Sequence, residues 1–394
     1  MQPTRDINGK TVLAVALELS AKKWKLALGD ARHANPAIKS VDAPQPRERL
    51  EQVVQCIEQI KHKWELPPDC QVVLVYEAGQ DGFWIERALR ERGVQAVVVD
   101  PASIPVPRQA KRAKTDRLDA IMLLEALWRW LRGERNSMHP VRVPTPEAEA
   151  RRHLARDRGL LQKEIGQHRD RMRKLLRTAG CWDPLEGDLA ARLAAGEFRC
   201  WDGQALPQEL HQRLRYECER LQLVAQQLAA LERTLLQQLP QPLRRLIAHL
   251  AQLKGVGWVG AMRLVLELFW RNFRNRRQVG SCVGLVAQPY DSGDSRVDQG
   301  ISKQGNRRVR ALLIEMAWLW LRYQKGSAIS QWFERRTAGN ASNKRGKRIA
   351  IVAVARRLAI ALWRYLSDGV VPEGAQLKRV RDRQLRDISL SAEA

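Results

Sequence analysis

Two carboxylates three residues apart, Asp116 and Asp119 in Lys114-Thr115-Asp116-Arg117-Leu118-Asp119-Ala120, open a predicted helix and share one of its faces. Two apolar runs ahead of them each end on an acid: residues 11–17 before Glu18 and residues 71–76 before Glu77. Four carboxylates held on rigid elements supply the oxygen ligands of a hard divalent cation, Mg2+ or Mn2+, and leave positions for water and a substrate phosphate. Phosphodiester chemistry is therefore the first expectation. Singly, each acid has a plainer reading, because negative charge suits a helix start and an acid can simply end a strand. Their joint order is what points to a site.

A second group lies far downstream. Ser292, in Asp291-Ser292-Gly293, is followed by Arg296, Lys303, Arg307, Arg308 and Arg310, a hydroxyl and a set of cations suited to a pentavalent phosphorus transition state. Asp-Ser-Gly also favours ordinary turns. The stretch Leu253-Lys254-Gly255-Val256-Gly257-Trp258-Val259-Gly260 has the form of a helix-hairpin-helix turn, in which Lys254 and small Gly255 and Gly257 let backbone amides approach a phosphate. A glycine-rich helix start is more often a packing turn. Lys344, Arg345, Lys347 and Arg348 head an apolar helix and fit a backbone-contacting basic face, although such runs usually just keep a surface soluble. The histidines show no ligand spacing, and the six cysteines are scattered without C-x-x-C, which leaves no zinc knuckle or disulfide framework. The thirteen tryptophans read as core and interface anchors.

The elements that must position these residues follow from periodicity. Residues 11–17, 24–28 and 37–41 read as a strand meander, and a helix begins after Pro44-Gln45-Pro46 with Leu50, Val53, Val54, Ile57 and Ile60 at helical spacing. Residues 71–76 are continuously apolar after the first, as in a strand buried on both faces. Helix 82–92, strand 95–99 and the helix from Asp116 complete a β-β-β-α-β-α-β-α order, an α/β layer architecture. Pro140, Pro144 and Pro146 mark a domain boundary. Beyond it, residues 147–179 and 208–239 carry apolar stripes in steps of three and four, which predicts an antiparallel coiled-coil hairpin. Residues 261–269 and 311–323 read as core helices, and 284–310 as a polar glycine-rich loop leading into a basic run.

At 394 residues the chain suits two or three domains. Its 68 Lys and Arg against 43 Asp and Glu, net +25, point to a polyanionic partner, nucleic acid ahead of a membrane surface. No stretch approaches a membrane span and Met1 to Asp6 begins no signal core, so a cytoplasmic location is expected.

Glu18 after the first strand, Glu77 after the fourth, and Asp116 with Asp119 on a late helix resemble the RuvC-like branch of the RNase H fold. With the KTDRLDA segment, the coiled-coil middle, the LKGVGWVG turn and GLVAQPYDSGDSRVDQGISKQGNRRVRALLIEMAW, nearly the whole chain resembles the DEDD transposases of the IS-one-ten insertion-sequence family, in particular its eleven-eleven subgroup. The block GLV-x-x-P-Y-x-SG followed by I-x-K-QGNRR-x-R is the most specific part. The resemblance implies a RuvC-like α/β domain over 8–135, a coiled-coil hairpin over 145–240 and a mainly helical transposase domain over 245–380. It implies that Glu18, Glu77, Asp116 and Asp119 chelate Mg2+ and that Ser292 attacks DNA to form a transient phosphoserine link. It also implies donor and target DNA, a noncoding bridge RNA whose loops pair with both, and a homo-oligomer, at least a dimer and a tetramer on DNA, at the bacterial nucleoid. The family usually has Asp where this chain has Glu18, and the added methylene moves the carboxylate by roughly 1.5 Å. Two other readings are a RuvC-like structure-specific endonuclease using two metals and water, and a non-catalytic DNA- or RNA-binding protein derived from a transposase.

Overall fold

The computed structural model describes residues 11–30, 32–79, 82–104, 115–292, 295–338 and 344–378, with backbone only for 236, 290–292 and 295–298. Lys114 and Gly293, and the outer limits 8 and 380 of the expected domains, lie outside the described residues. The chain divides into two compact units, Met1–Thr145 and Pro146–Ala394.

The first unit is built on one five-stranded sheet. Its strands are β1 (Val12–Glu18), β2 (Trp24–Gly29), β3 (Ala37–Val41), β4 (Gln71–Glu77) and β5 (Gln95–Val99), in the spatial order β3-β2-β1-β4-β5. β1 pairs antiparallel with β2 and parallel with β4, and β4 pairs parallel with β5. β1 and β4 read as unbroken apolar runs because both their faces are covered. On one face α1 (Pro46–Lys63) and α2 (Trp84–Glu91) pack Leu50, Val53, Ile57, Ile85 and Leu89 against Leu13, Val15, Leu17, Leu74 and Tyr76. On the other, α3 (Asp116–Leu131) packs Ala120, Leu123, Leu124 and Leu127 against Ala14, Ala16, Ala27, Val73 and Val75. Alanines at the centre of β1 and β2 let α3 lie close to the strands.

The second unit is mostly helical. α4 (Pro146–Thr178) and α6 (Gln208–Gln238) run antiparallel, with short α5 (Leu189–Ala194) in the connection between them. The direction shows in the ion pairs: Arg158 meets Glu232 at 2.7 Å, and further along α4 His168 meets Glu217 at 2.6 Å. Met172, Leu176, Leu214, Cys218 and Leu221 form the seam near the far end. At the near end Ala155, Leu235 and Leu239 merge into the unit's main core. That core is made by α7 (Gln241–Ala251), α8 (Trp258–Leu264), a π-helical turn over Val265–Phe269, α9 (Arg276–Cys282), α10 (Arg307–Tyr323), α11 (Ala328–Thr337) and α12 (Lys344–Asp368). Trp320 of α10 is fully buried and its Nε1 donates to Ser327 Oγ at 2.9 Å, whereas Trp318, Trp182 and Trp201 are exposed and anchor no core.

Two segments differ from expectation. Within 284–310 the polar stretch forms a hairpin, β6 (Ala287–Ser292) with β7 (Ser295–Ile301), rather than a loop. Gly-Asp between two runs is a two-residue hairpin signal that outweighs the polarity of the runs. The helix expected over 261–269 is α-helical only to Leu264, after which it widens into the π-helical turn.

Candidate catalytic site

In the first unit the strand register brings two of the four predicted acids together. Leu17 is level with Tyr76 across the parallel β1–β4 pair, so Glu18 and Glu77, one residue further on, end neighbouring strands side by side. Alternation sets their face. Ala14 and Ala16 on β1, and Val73 and Val75 on β4, pack under α3, and Glu18 and Glu77 continue those two rows. Both acids are half-buried.

α3 carries the other two acids toward the same edge. A Cβ built on Gly29, the partner of Ala14, would lie 3.4 Å from Leu124 Cδ2 and 3.3 Å from Trp128 Nε1. The later turns of α3 therefore cover the early part of β1, and the start of the helix lies toward the Glu18 end. Asp116 is one turn before Ala120, and Asp119 one turn before Leu123, so both extend the buried stripe to the helix start. Thr115 fixes that start by accepting from Leu118 N at 3.3 Å. Among the described residues no three His, Cys, Asp or Glu side chains form a closed metal-holding group.

Ser292 is the last residue of β6, level with Ser295 of β7. The base of this hairpin is a tight crossing of two chain segments. Asn306 N donates to Cys282 O at 3.0 Å, Lys303 N to Gly284 O at 3.2 Å and Ser302 N to Val286 O at 2.9 Å. Gly284 and Gly305 both have positive φ; a Cβ on Gly284 would lie 2.0 Å from Gln304 O, and one on Gly305 2.1 Å from Cys282 O. Only glycine fits either position. Arg310 is spent on the same mount, its Nη1 donating to Val283 O and Gln304 O, while Lys303, Arg307 and Arg308 are exposed.

A buried anchor that the sequence reading missed holds this mount. Glu267, 5% exposed in the π-helical turn, accepts from Arg156 Nε (2.6 Å) and Nη2 (3.0 Å) of α4, and from Asn306 Nδ2 (3.1 Å). Asn306 Oδ1 in turn caps α10 through Arg308 N and Val309 N. Burial works against the Glu267 charge, but the Arg156 hydrogen bonds and charge, with Asn306 and Arg152, outweigh it and hold the carboxyl below its usual range. The one legible signal was an acid inside the apolar run Val265-Leu266-Glu267-Leu268-Phe269.

The turn after α7 is tied by Gln324, whose Nε2 donates to Lys254 O and Gln376 O. Gly255, at φ +87°, lies against Leu319 and Tyr323 of α10, a packing requirement, while a Cβ on Gly257 would meet nothing. Lys344, Arg345 and Arg348 are exposed, and Lys347 is half-buried, on the first turns of α12.

Residues 15–180 match a transposase family model, the DEDD transposase of IS110, and residues 247–332 match the transposase IS116/IS110/IS902 family. The "Putative transposase y4rJ" of Sinorhizobium fredii is 42% identical over 321 residues, 78% of this chain and 80% of the relative. The chain belongs to the IS116/IS110/IS902 transposase family. A second member, "Transposase for insertion sequence element IS1328" of Yersinia enterocolitica, is 27% identical over 77% of this chain and 86% of its own length. "Transposase for insertion sequence element IS1111A" of Coxiella burnetii is 33% identical over a shorter stretch, 29% of this chain and 30% of that protein. The first matched region contains all four acids and the second contains Ser292 with its mount. A DEDD-type transposase domain points to divalent metal use and to DNA as substrate, and no helix among the described residues is long and apolar enough to cross a membrane.

Proposed function

We propose that this transposase cuts and rejoins DNA with Ser292 as nucleophile and with Glu18, Glu77, Asp116 and Asp119 as ligands of Mg2+ or Mn2+. The observation that carries the reading is the meeting of Glu18 and Glu77 at neighbouring strand ends under the acidic start of α3. A carboxylate-only donor set matches a hard cation, which when bound neutralises charge on the scissile phosphate. Ser292 Oγ attacks phosphorus, its proton passes to solvent, and the new Oγ–P bond replaces the strand's P–O bond, whose oxygen leaves as a hydroxyl. The phosphoserine keeps the energy of the broken bond, so rejoining needs no nucleotide cofactor. In this reading 8–135 is an RNase H-like metal domain, 145–240 a coiled-coil spacer and 245–380 the serine domain. Lys254, Gly257, Arg296, Lys303, Arg307, Arg308, Lys344, Arg345, Lys347 and Arg348 contact nucleic acid backbone, while Gly255 and Arg310 position the turn and the hairpin mount beside them. Resemblance to the eleven-eleven subgroup supports an element-encoded bridge RNA as the guide, and a dimer that pairs into a tetramer on DNA.

Trapping tests it. Wild-type protein denatured during reaction with element-end DNA should carry covalent DNA, whereas Ser292→Ala should carry none and Asp116→Asn almost none. Metal-dependent nicking without an adduct would assign the attack to water and overturn the serine role.

A further inference from the structure

The Glu267 anchor borders a cavity of about 200 Å3 between α4, α8, the π-helical turn and α10, whose walls include Arg156, Gly159, Leu160, Arg263, Glu267 and Arg308. At about 30 Å3 per water it has room for about seven waters. Its charge is unbalanced. The Glu267 carboxylate is bound by Arg156 and Asn306, and among the described residues no carboxylate pairs with Arg263 or Arg308. Arg263 is half-buried in the wall and Arg308 exposed at the rim. Crowded positive charge extends along the same face: burial, and then the neighbouring Arg156, lower the Arg152 guanidinium from its usual value. The rest of the lining is apolar or small. Leu160 is 62% exposed, and a Cβ on Gly159 would meet nothing within 4 Å, so the floor on the α4 side is open.

Two cations without counter-charge, facing a cavity with apolar walls, suit a monoanion with an attached non-polar group. We propose that this cavity seats one backbone phosphodiester of a bound nucleic acid, with its oxygens on Arg263 and Arg308 and its sugar against Leu160. The proposal rests on the protein's handling of nucleic acid and not on the role of Ser292. Asn306 links the Glu267 side of the cavity to the hairpin mount, so a strand seated here is indexed against the segment that carries Ser292. DNA and RNA offer the same phosphodiester, and separate probes tell them apart.

The test is the salt dependence of binding by the full-length protein to random-sequence duplex DNA and to random-sequence single-stranded RNA. Losing one phosphate contact lowers the log–log slope by about 0.9 on duplex DNA and by about 0.7 on a single strand. The double variant Arg263→Gln/Arg308→Gln should show that drop on the probe that occupies the cavity, which assigns the source. Leu160→Glu, at an exposed position where folding is safe, should weaken binding to the same probe roughly three- to ten-fold by placing a carboxylate at the mouth. Arg213→Gln, an exposed site on α6 outside the cavity lining, is the charge control. Unchanged slopes for the double variant on both probes, or an equal drop for Arg213→Gln, overturn the proposal. Ser292→Ala should keep the wild-type slope; if it also keeps joining DNA, the nucleophile assignment falls and the cavity assignment stands.

Discussion

Glu18 and Glu267 are both acids next to apolar runs, yet they do opposite work. Glu18 ends β1 beside Glu77, and under the proposed mechanism its value is its charge toward a divalent cation; a Glu18→Gln variant should lose about 100-fold or more in strand joining while unfolding as the wild type does. Glu18→Asp keeps the carboxylate on a side chain one methylene shorter, and should retain activity within about ten-fold, measured on the same joining assay. Glu267 is buried where the core meets the cavity beside α4, and its charge is answered by Arg156, Asn306 and Arg152. Its carboxyl is held below the ordinary range, so it contributes stability above the pH at which an unfolded glutamate titrates and loses it as pH falls through the folded value. Glu267→Gln should therefore destabilise the protein by about 1–3 kcal/mol at neutral pH, by leaving the half-buried Arg156 without its counter-charge. The gap between variant and wild type should narrow in acid urea titrations, as pH falls below the range in which an unfolded glutamate titrates.

At the scale of elements, backbone geometry sets the chain crossing at the base of the serine hairpin. Gly305→Ala would place a methyl 2.1 Å from Cys282 O and should abolish joining and lower the melting temperature sharply. Gly196→Ala has the same positive φ with open space around it, and should cost only about 1–2 kcal/mol of backbone strain. Thermal melts of the two variants side by side separate crossing from conformation. The long helix pair has its own polar pin: Glu217, buried, accepts from His168 (2.6 Å), Arg171 (3.1 Å) and Arg220 (3.0 Å). The contrast between legible and hidden elements has a physical root. β1, β4 and α3 could be read because burial on both sheet faces and on one helix stripe leaves a local apolar period, and the acids of the site show as the residues that break it. Glu267, Arg156 and Asn306 could not, since the partners stand 111 and 39 residues from the glutamate and nothing local encodes the match. The hairpin strands within 287–301 fell between: Gly-Asp in the sequence is a turn signal, but the polar strands carry no alternation to announce a sheet.

The whole molecule puts its acids and its serine in different compact units, each with a separate core. Under the proposed mechanism one centre needs both, and an oligomer can supply them from one protomer or from two. Mixing inactive variants decides between these. Combine Asp116→Asn with Ser292→Ala in equal amounts before adding DNA. In a randomly mixed dimer half the particles are mixed, and if each centre takes acids from one protomer and serine from the other, one of the two centres in every mixed particle is intact. Joining should then recover to about a quarter of the wild-type level, an arithmetic that follows from the two-fold symmetry of the dimer. If both parts of a centre come from the same protomer, every centre in the mixture lacks one of them and joining stays at the level of the single variants. We expect the recovery, because the acids and the serine belong to different compact units, each with its own core, and the proposed mechanism does not require both to come from one chain.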